Sequence, residues 1–174
     1  MRCYDVCLPE KKEWCVPATL QTVLKKRGIN RSQEEIAGGF PEYFEEGNFR
    51  GFKFSEELLK QFFKENNLEW ECRFLNPFIH FDLYQNVDLF LNRVKDNETI
   101  DVLVAYDSKF HKGKTRRGWI DHLAVLMNYS LKSDLVRVTG VGRESYKEIP
   151  LPLLIDNIHP DKNENYGFYV VEDE

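Results

Sequence analysis

The sequence has neither a long apolar run nor an excess of basic charge. No segment approaches the roughly 18 apolar residues that a membrane helix requires, and residues 1–7 lack the basic start and apolar run of a secretory signal peptide. We therefore expect no membrane partner and a cytoplasmic location, with signal-independent export left open. The 29 acidic residues outnumber the 24 basic ones. The chain thus lacks the positive field of nucleic-acid-binding proteins, and we expect no nucleic-acid partner.

Cysteine is also scarce. The chain has four, Cys3, Cys7, Cys15 and Cys72. Without a signal sequence a disulfide framework is the weaker interpretation, and free thiols are expected. The series formed by the first three cysteines contains only one pair that approximates the paired ligands of a structural zinc site. We therefore expect no metal and no organic cofactor.

Internal repeats, low-complexity tracts and Gly/Ser-rich linkers are absent from the sequence. The 174 residues match one typical domain, and a hydrophobic content of 42% is sufficient for a core at this length. We predict a single domain over residues 1–174.

Helical patterns come first in the chain, and strand patterns follow. Pro17 and Gly28 bound a first helix over about 15–27. Ser32 and Glu35 form a capping box that begins a short helix. Another helix begins after Ser55. Alternating and β-branched patterns then predict strands at 68–74, 100–106, 122–129, 135–138 and 166–171, with helices near 87–94 and 151–158. This order indicates an α+β fold.

Cys15 stands at the start of the first predicted helix, directly after Trp14. The helix dipole and the backbone N–H groups there lower a thiol pKa, and the same groups can form an oxyanion hole. A thiolate nucleophile needs a base, and His122 heads an apolar strand where such sites are assembled. Each residue alone has an ordinary structural explanation, a small buried side chain for Cys15 and a hydrogen-bonded strand-end imidazole for His122.

Four segments together resemble the papain-like cysteine peptidases related to bacteriocin leader peptidases. They are Cys15-Val16-Pro17-Ala18-Thr19-Leu20, Gly28-Ile29, Ser32-Gln33-Glu34-Glu35-Ile36-Ala37 and Asp121-His122-Leu123-Ala124-Val125-Leu126-Met127-Asn128-Tyr129. The resemblance implies a papain-like α+β fold, with N-terminal helices packed on an antiparallel sheet. It also implies a Cys15 nucleophile, a His122 general base and a peptide or protein substrate. Acyl transfer and deamidation use the same thioester with a different acceptor.

The chain departs from that family in two places. The family has a Gln shortly before its Cys, whereas Leu8-Pro9-Glu10-Lys11-Lys12 contains none. The family also has an Asp or Asn on the strand after its His strand, but the expected pairing sets His122 opposite residues 139–142, which include no carboxylate or amide. Candidates for this third member are Thr139, Glu144 and Asp134. Both departures favour the alternative, a catalytically impaired pseudoenzyme that acts as a binding module.

A basic stretch at 109–118 precedes His122 and contains five Lys and Arg residues and no acid. It has an ordinary explanation as a solvated loop. Because it leads into His122, it could instead form the rim of a cleft, where Arg116 and Arg117 would attract an acidic substrate.

Overall fold

The structure is a computed structural model that describes residues 4–11, 14–40, 44–45, 48–49, 54–80, 84–107, 121–130, 132–141, 144–158 and 166–173. The helices are α1 (Cys15–Lys26), α2 (Gln33–Gly38), α3 (Glu56–Glu65), α4 (Pro77–His80), α5 (Tyr84–Val94) and α6 (Leu151–Asp156). The strands are β1 (Phe44–Glu45), β2 (Asn48–Phe49), β3 (Trp70–Leu75), β4 (Ile100–Asp107), β5 (Asp121–Ser130), β6 (Leu135–Val141), β7 (Glu144–Pro150) and β8 (Gly167–Asp173).

Local sequence signals account for the start of each N-terminal helix. The predicted first helix is confirmed as α1, and Gly28 follows it with a φ of 75° that favours glycine. The Ser32 capping box is present at α2, where the Ser32 hydroxyl accepts the Glu35 N–H at 3.1 Å. Ser55 caps α3 in the same manner. The predictions for these three helices are therefore confirmed.

Six strands form one antiparallel sheet in the order β3-β8-β4-β5-β6-β7. The two-residue strands β1 and β2 pair with each other separately. Helices before and after β3, followed by mainly strands, give the α+β class that the sequence predicts.

Two apolar layers cover the two faces of this sheet. Along β4 and β5, Leu103 and Leu123 pack in a first layer with residues of α1, α2 and α3. The alternate residues Val104 and Ala124 pack in a second layer with residues of α5 and α6. The N-terminal helices therefore pack on one face of the antiparallel sheet.

Strand β7 was not predicted, and neither were α4 or the β1-β2 pair. Ile149 is the only buried residue of β7, which lies at the edge of the sheet and contains Glu144, Lys147 and Glu148. Charged side chains are common on edge strands because they discourage pairing with other chains. They also remove the apolar alternation from which a strand is predicted. Glu144, a candidate third catalytic member, is thus the first residue of this edge strand.

Among the helices that the structure describes, none is long and apolar enough to cross a membrane.

Candidate active site

The N-terminus of α1 carries the predicted nucleophile, Cys15, which is partly buried. The first turn contains no acidic residue. Pro17 has no N–H, and the Ala18 N–H donates to the Trp14 carbonyl at 3.1 Å. The backbone donors at this helix end are therefore the N–H groups of Cys15 and Val16, which lie in the positive field of the helix dipole. Such a position favours an anion such as a thiolate.

One buried hydrogen bond joins α1 to β5 beside the predicted base. The Thr19 hydroxyl donates to the Leu123 carbonyl at 2.9 Å. Thr19 lies one helical turn after Cys15 on the same side of α1, and Leu123 directly follows His122. The structure thus brings the start of α1 and the start of β5 to the same end of the sheet.

His122 lies against Tyr106, its direct partner on β4. The two rings meet edge to face, with centroids 5.6 Å apart, and only 9% of His122 is exposed. Burial raises the pKa of Tyr106 well above its ordinary value, and the charge of nearby Cys15 raises that pKa further. The Tyr106 hydroxyl therefore keeps its proton. Tyr106 thus contacts one predicted catalytic residue, His122, and lies near enough to the other, Cys15, for the charge of Cys15 to affect its pKa.

Cys15 and Tyr106 belong to different apolar layers. Cys15 packs against the first layer, which contains α1, whereas Tyr106 belongs to the second layer, beyond the sheet. The imidazole of His122 contacts Tyr106. The charge of Cys15 acts on Tyr106, and Tyr106 contacts His122, so the candidate site lies at the end of the sheet where β4 ends and β5 begins.

The three candidates for a third catalytic member have other contacts. The buried Thr139 hydroxyl accepts the Val125 N–H at 2.9 Å, three residues along β5 from His122. The Glu144 side chain is 65% exposed and lies 4.0 Å from the Lys147 ammonium. The contacts that the structure gives these two groups are therefore with Val125 and Lys147.

Asp134 lies in the turn between β5 and β6, where its carboxylate accepts the Tyr129 hydroxyl at 3.3 Å. A strand rises roughly 3.3 Å per residue, so this end of β5 is about 26 Å from His122. The hypothesis that Asp134 orients His122 is therefore wrong.

Sequence reasoning missed Tyr106 and Asp107 at the end of β4. Asp107 is 4% exposed, pairs with Asp121 beside the Tyr106–His122 pair, and donates its N–H to the Asn157 carbonyl at 3.0 Å. Alternation along β4 sets Asp107 on the face that α1 covers. An aspartate directly after a predicted apolar strand was a usable signal, because acidic residues are rarely buried without a specific role.

Several predicted residues lie outside the part of the chain that the structure describes. These are Arg116 and Arg117 with the rest of the 109–118 stretch, and Cys3. None of the described cysteines, Cys7, Cys15 and Cys72, forms a disulfide, as expected. Within the described residues, no group of three His, Cys, Asp or Glu side chains could hold a metal ion.

Comparison of the chain with models of known protein families gives no match, and comparison with curated proteins gives no significant match. The geometry of the site is therefore the basis for a functional proposal.

Proposed function

We propose that this protein is a papain-like cysteine hydrolase that cleaves a peptide or amide bond of a peptide or protein substrate. Cys15 Sγ would attack the carbonyl carbon while His122 takes the thiol proton and passes it to the leaving amine. Water would then attack the thioester and release the acid and the free thiol. The N–H groups of Cys15 and Val16 would hold the oxyanion.

The observation that carries the proposal is the Thr19–Leu123 hydrogen bond. It lies one turn from Cys15 and one residue from His122, and it is buried at 2.9 Å. For efficient proton transfer, the positions of a nucleophile and its base must be held within about 0.5 Å of the productive geometry. A buried bond between α1 and β5 supports such a fixed relation between the two elements.

Electrostatics at the helix start agree with a thiolate nucleophile. The first turn of α1 contains no carboxylate, and Lys25 and Lys26 lie at its other end. Both features match the helix dipole, whose positive end is at Cys15. The neighbouring Tyr106 hydroxyl remains protonated because burial raises its pKa, so it adds no negative charge.

A binding module is the second candidate function, and one observation favours it. Thr139, Glu144 and Asp134, the predicted orienting residues, are engaged by Val125, Lys147 and Tyr129. The residues that the family pattern would lead one to expect as orienting groups for a catalytic histidine thus have contacts elsewhere. A binding module with this fold would need neither the thiolate nor the base.

An electrophilic peptide probe distinguishes the two functions. We expect the wild-type chain to form one covalent adduct, which mass spectrometry maps to Cys15. Cys15→Ala should form none, and His122→Ala should react about 100-fold more slowly or worse. Turnover of a peptide substrate should be no lower in the double variant than in the more damaged single variant, because members of one catalytic unit are not additive.

Cys7→Ala is the matched control, since Cys7 is another partly buried thiol of the described chain. It should react as fast as the wild type. An adduct only at Cys7, or a Cys15 adduct whose rate is the same in His122→Ala, would instead support the binding module.

A further inference from the structure

The side chain of Gln33, the first residue of α2, is 1% exposed and fully hydrogen-bonded. Its Nε2 donates to the Leu8 carbonyl at 2.7 Å and to Gln21 Oε1 at 3.0 Å. Its Oε1 accepts the Glu10 N–H at 2.9 Å. A buried amide with both donors and its acceptor in use fixes the geometry of the groups around it. Gln33 thereby holds the backbone on both sides of Pro9.

We call residues 7–11 the N-terminal segment. Besides its bonds to Gln33, the Cys7 N–H donates to the Thr22 hydroxyl at 3.0 Å. At its other end, the Lys11 carbonyl accepts the Trp14 N–H at 3.3 Å. The N-terminal segment is therefore attached to α1 at Thr22, to α2 at Gln33 and to the residue directly before Cys15.

Lys11 adds two contacts of its side chain at this point. Its ammonium lies 4.1 Å above the centre of the Trp14 ring and 2.8 Å from a Glu34 carboxylate oxygen. Trp14 is 2% exposed, so the ring is a fixed platform for the cation. The ammonium is in this way kept beside the helix start that carries Cys15.

We propose that Gln33 is a positioning residue for Cys15. It acts indirectly, because it fixes the N-terminal segment, which holds Lys11 over Trp14, the residue directly before Cys15. This inference rests on the proposed function, in which Cys15 is the nucleophile. Without the hydrogen bonds of Gln33, the backbone at Leu8 and Glu10 would be free to move. The Lys11 side chain would then no longer be held over the Trp14 ring. The start of α1 would then lose an ordered preceding residue and the nearby Lys11 ammonium, whose charge the Glu34 carboxylate at 2.8 Å offsets in part. Each loss disfavours a thiolate at Cys15.

The test compares Gln33→Met, which keeps side-chain length without hydrogen bonds, with Gln61→Met. Gln61 is an exposed glutamine on α3, and its amide donates a hydrogen bond to the Glu65 carboxylate at 2.8 Å. It lies far from the N-terminal segment along the chain. In Gln33→Met we expect the Glu10 amide to exchange with solvent at least about tenfold faster. The rate of Cys15 alkylation by iodoacetamide at pH 7 should fall about three- to tenfold, with its pH profile moved to higher pH. Gln61→Met should change neither.

Lys11→Met provides a second variant for the case in which Gln33→Met does not fold. Lys11 is half exposed, so its replacement should leave folding and the exchange of the Glu10 amide unchanged. It should still slow Cys15 alkylation. A Cys15 pH profile equal to that of Gln61→Met in both variants would overturn the inference, and so would an unchanged Glu10 exchange rate in folded Gln33→Met.

These measurements do not depend on turnover. A wild-type chain that never forms a peptide-probe adduct contradicts the proposed function, whereas a shifted Cys15 profile in the two variants still supports Gln33 as the residue that positions this thiol. With an active chain, Gln33→Met should lower kcat and leave KM nearly unchanged, because it disturbs the nucleophile and not the substrate contacts.

Discussion

The Tyr106 ring meets the His122 imidazole edge to face, with centroids 5.6 Å apart and ring planes at 82°. The two residues are direct partners on β4 and β5. Tyr106 is fully buried, so it cannot move aside without opening the second apolar layer. One side of the imidazole is therefore placed by packing against an aromatic ring.

Tyr106→Leu should misplace this imidazole. We expect a loss of about 10- to 100-fold in kcat/KM and a loss of about 2–4 kcal/mol in the free energy of unfolding. Tyr106→Phe keeps the ring and should stay within a few-fold of wild-type turnover. Steady-state kinetics and urea denaturation measure both effects. Equal turnover in the leucine and phenylalanine variants would show that the ring contact does not position His122.

The described thiols should differ in reactivity near neutral pH. Burial raises the pKa of Cys72 to about 12, with a further contribution from the charge of Glu56. Burial also raises the pKa of Cys7. Cys15 lies at a helix start that favours its thiolate. Limited iodoacetamide labelling with mass-spectrometric mapping should therefore modify Cys15 first and Cys72 last, and labelling of Cys7 with Cys15 untouched would contradict this order.

Thr19→Val should weaken the junction of α1 with β5. The variant keeps the shape of the side chain but deprives the buried Leu123 carbonyl of the hydroxyl donor. We expect a loss of about 1–3 kcal/mol in the free energy of unfolding, together with slower modification of Cys15 by a peptide probe. Thr19→Ser retains the hydroxyl and serves as the control. If serine and valine give the same stability and rate, the bond does not hold the site together.

Cys72 should make stability depend on alkaline pH. Its folded pKa of about 12 lies above the ordinary 9.0, so its contribution to stability is fully present below pH 9. As pH rises from 9 towards 12, the unfolded chain releases this proton and the folded chain keeps it, so stability falls by up to about 1.4 kcal/mol per pH unit.

Cys72→Val removes the titrating thiol and preserves an apolar side chain of similar size. Urea denaturation at pH 8 and pH 10 should show a smaller loss of stability for this variant than for the wild type. The comparison uses the change with pH, which is insensitive to any constant effect of repacking. Parallel pH dependence in the two chains would mean that another group accounts for the alkaline loss.

Local sequence alone was sufficient for the starts of α1, α2 and α3 and for most of the sheet. A cap at Ser32 or Ser55 depends on hydrogen bonds between residues three apart, and Pro17 and Gly28 act through their own backbone angles. The long apolar strands β4 and β5 also follow from composition, because β-branched residues suit a buried sheet. These interactions need no knowledge of distant partners. The placement of Cys15 at a helix start belongs to the same class of prediction.

Only the tertiary structure decided which residues surround Cys15 and His122. Tyr106 meets His122 through pairing of β4 with β5, and Gln33 meets Leu8 through the docking of α2 on the N-terminal segment. Nothing in a local pattern specifies either partner, because sheet register and helix docking follow from the packing of the whole core. Edge strand β7 was missed for the related reason that its pairing with β6, and not its own apolar pattern, makes it a strand. The residue types of the site were thus readable from the chain, whereas their contacts arise from long-range packing that brings distant segments together.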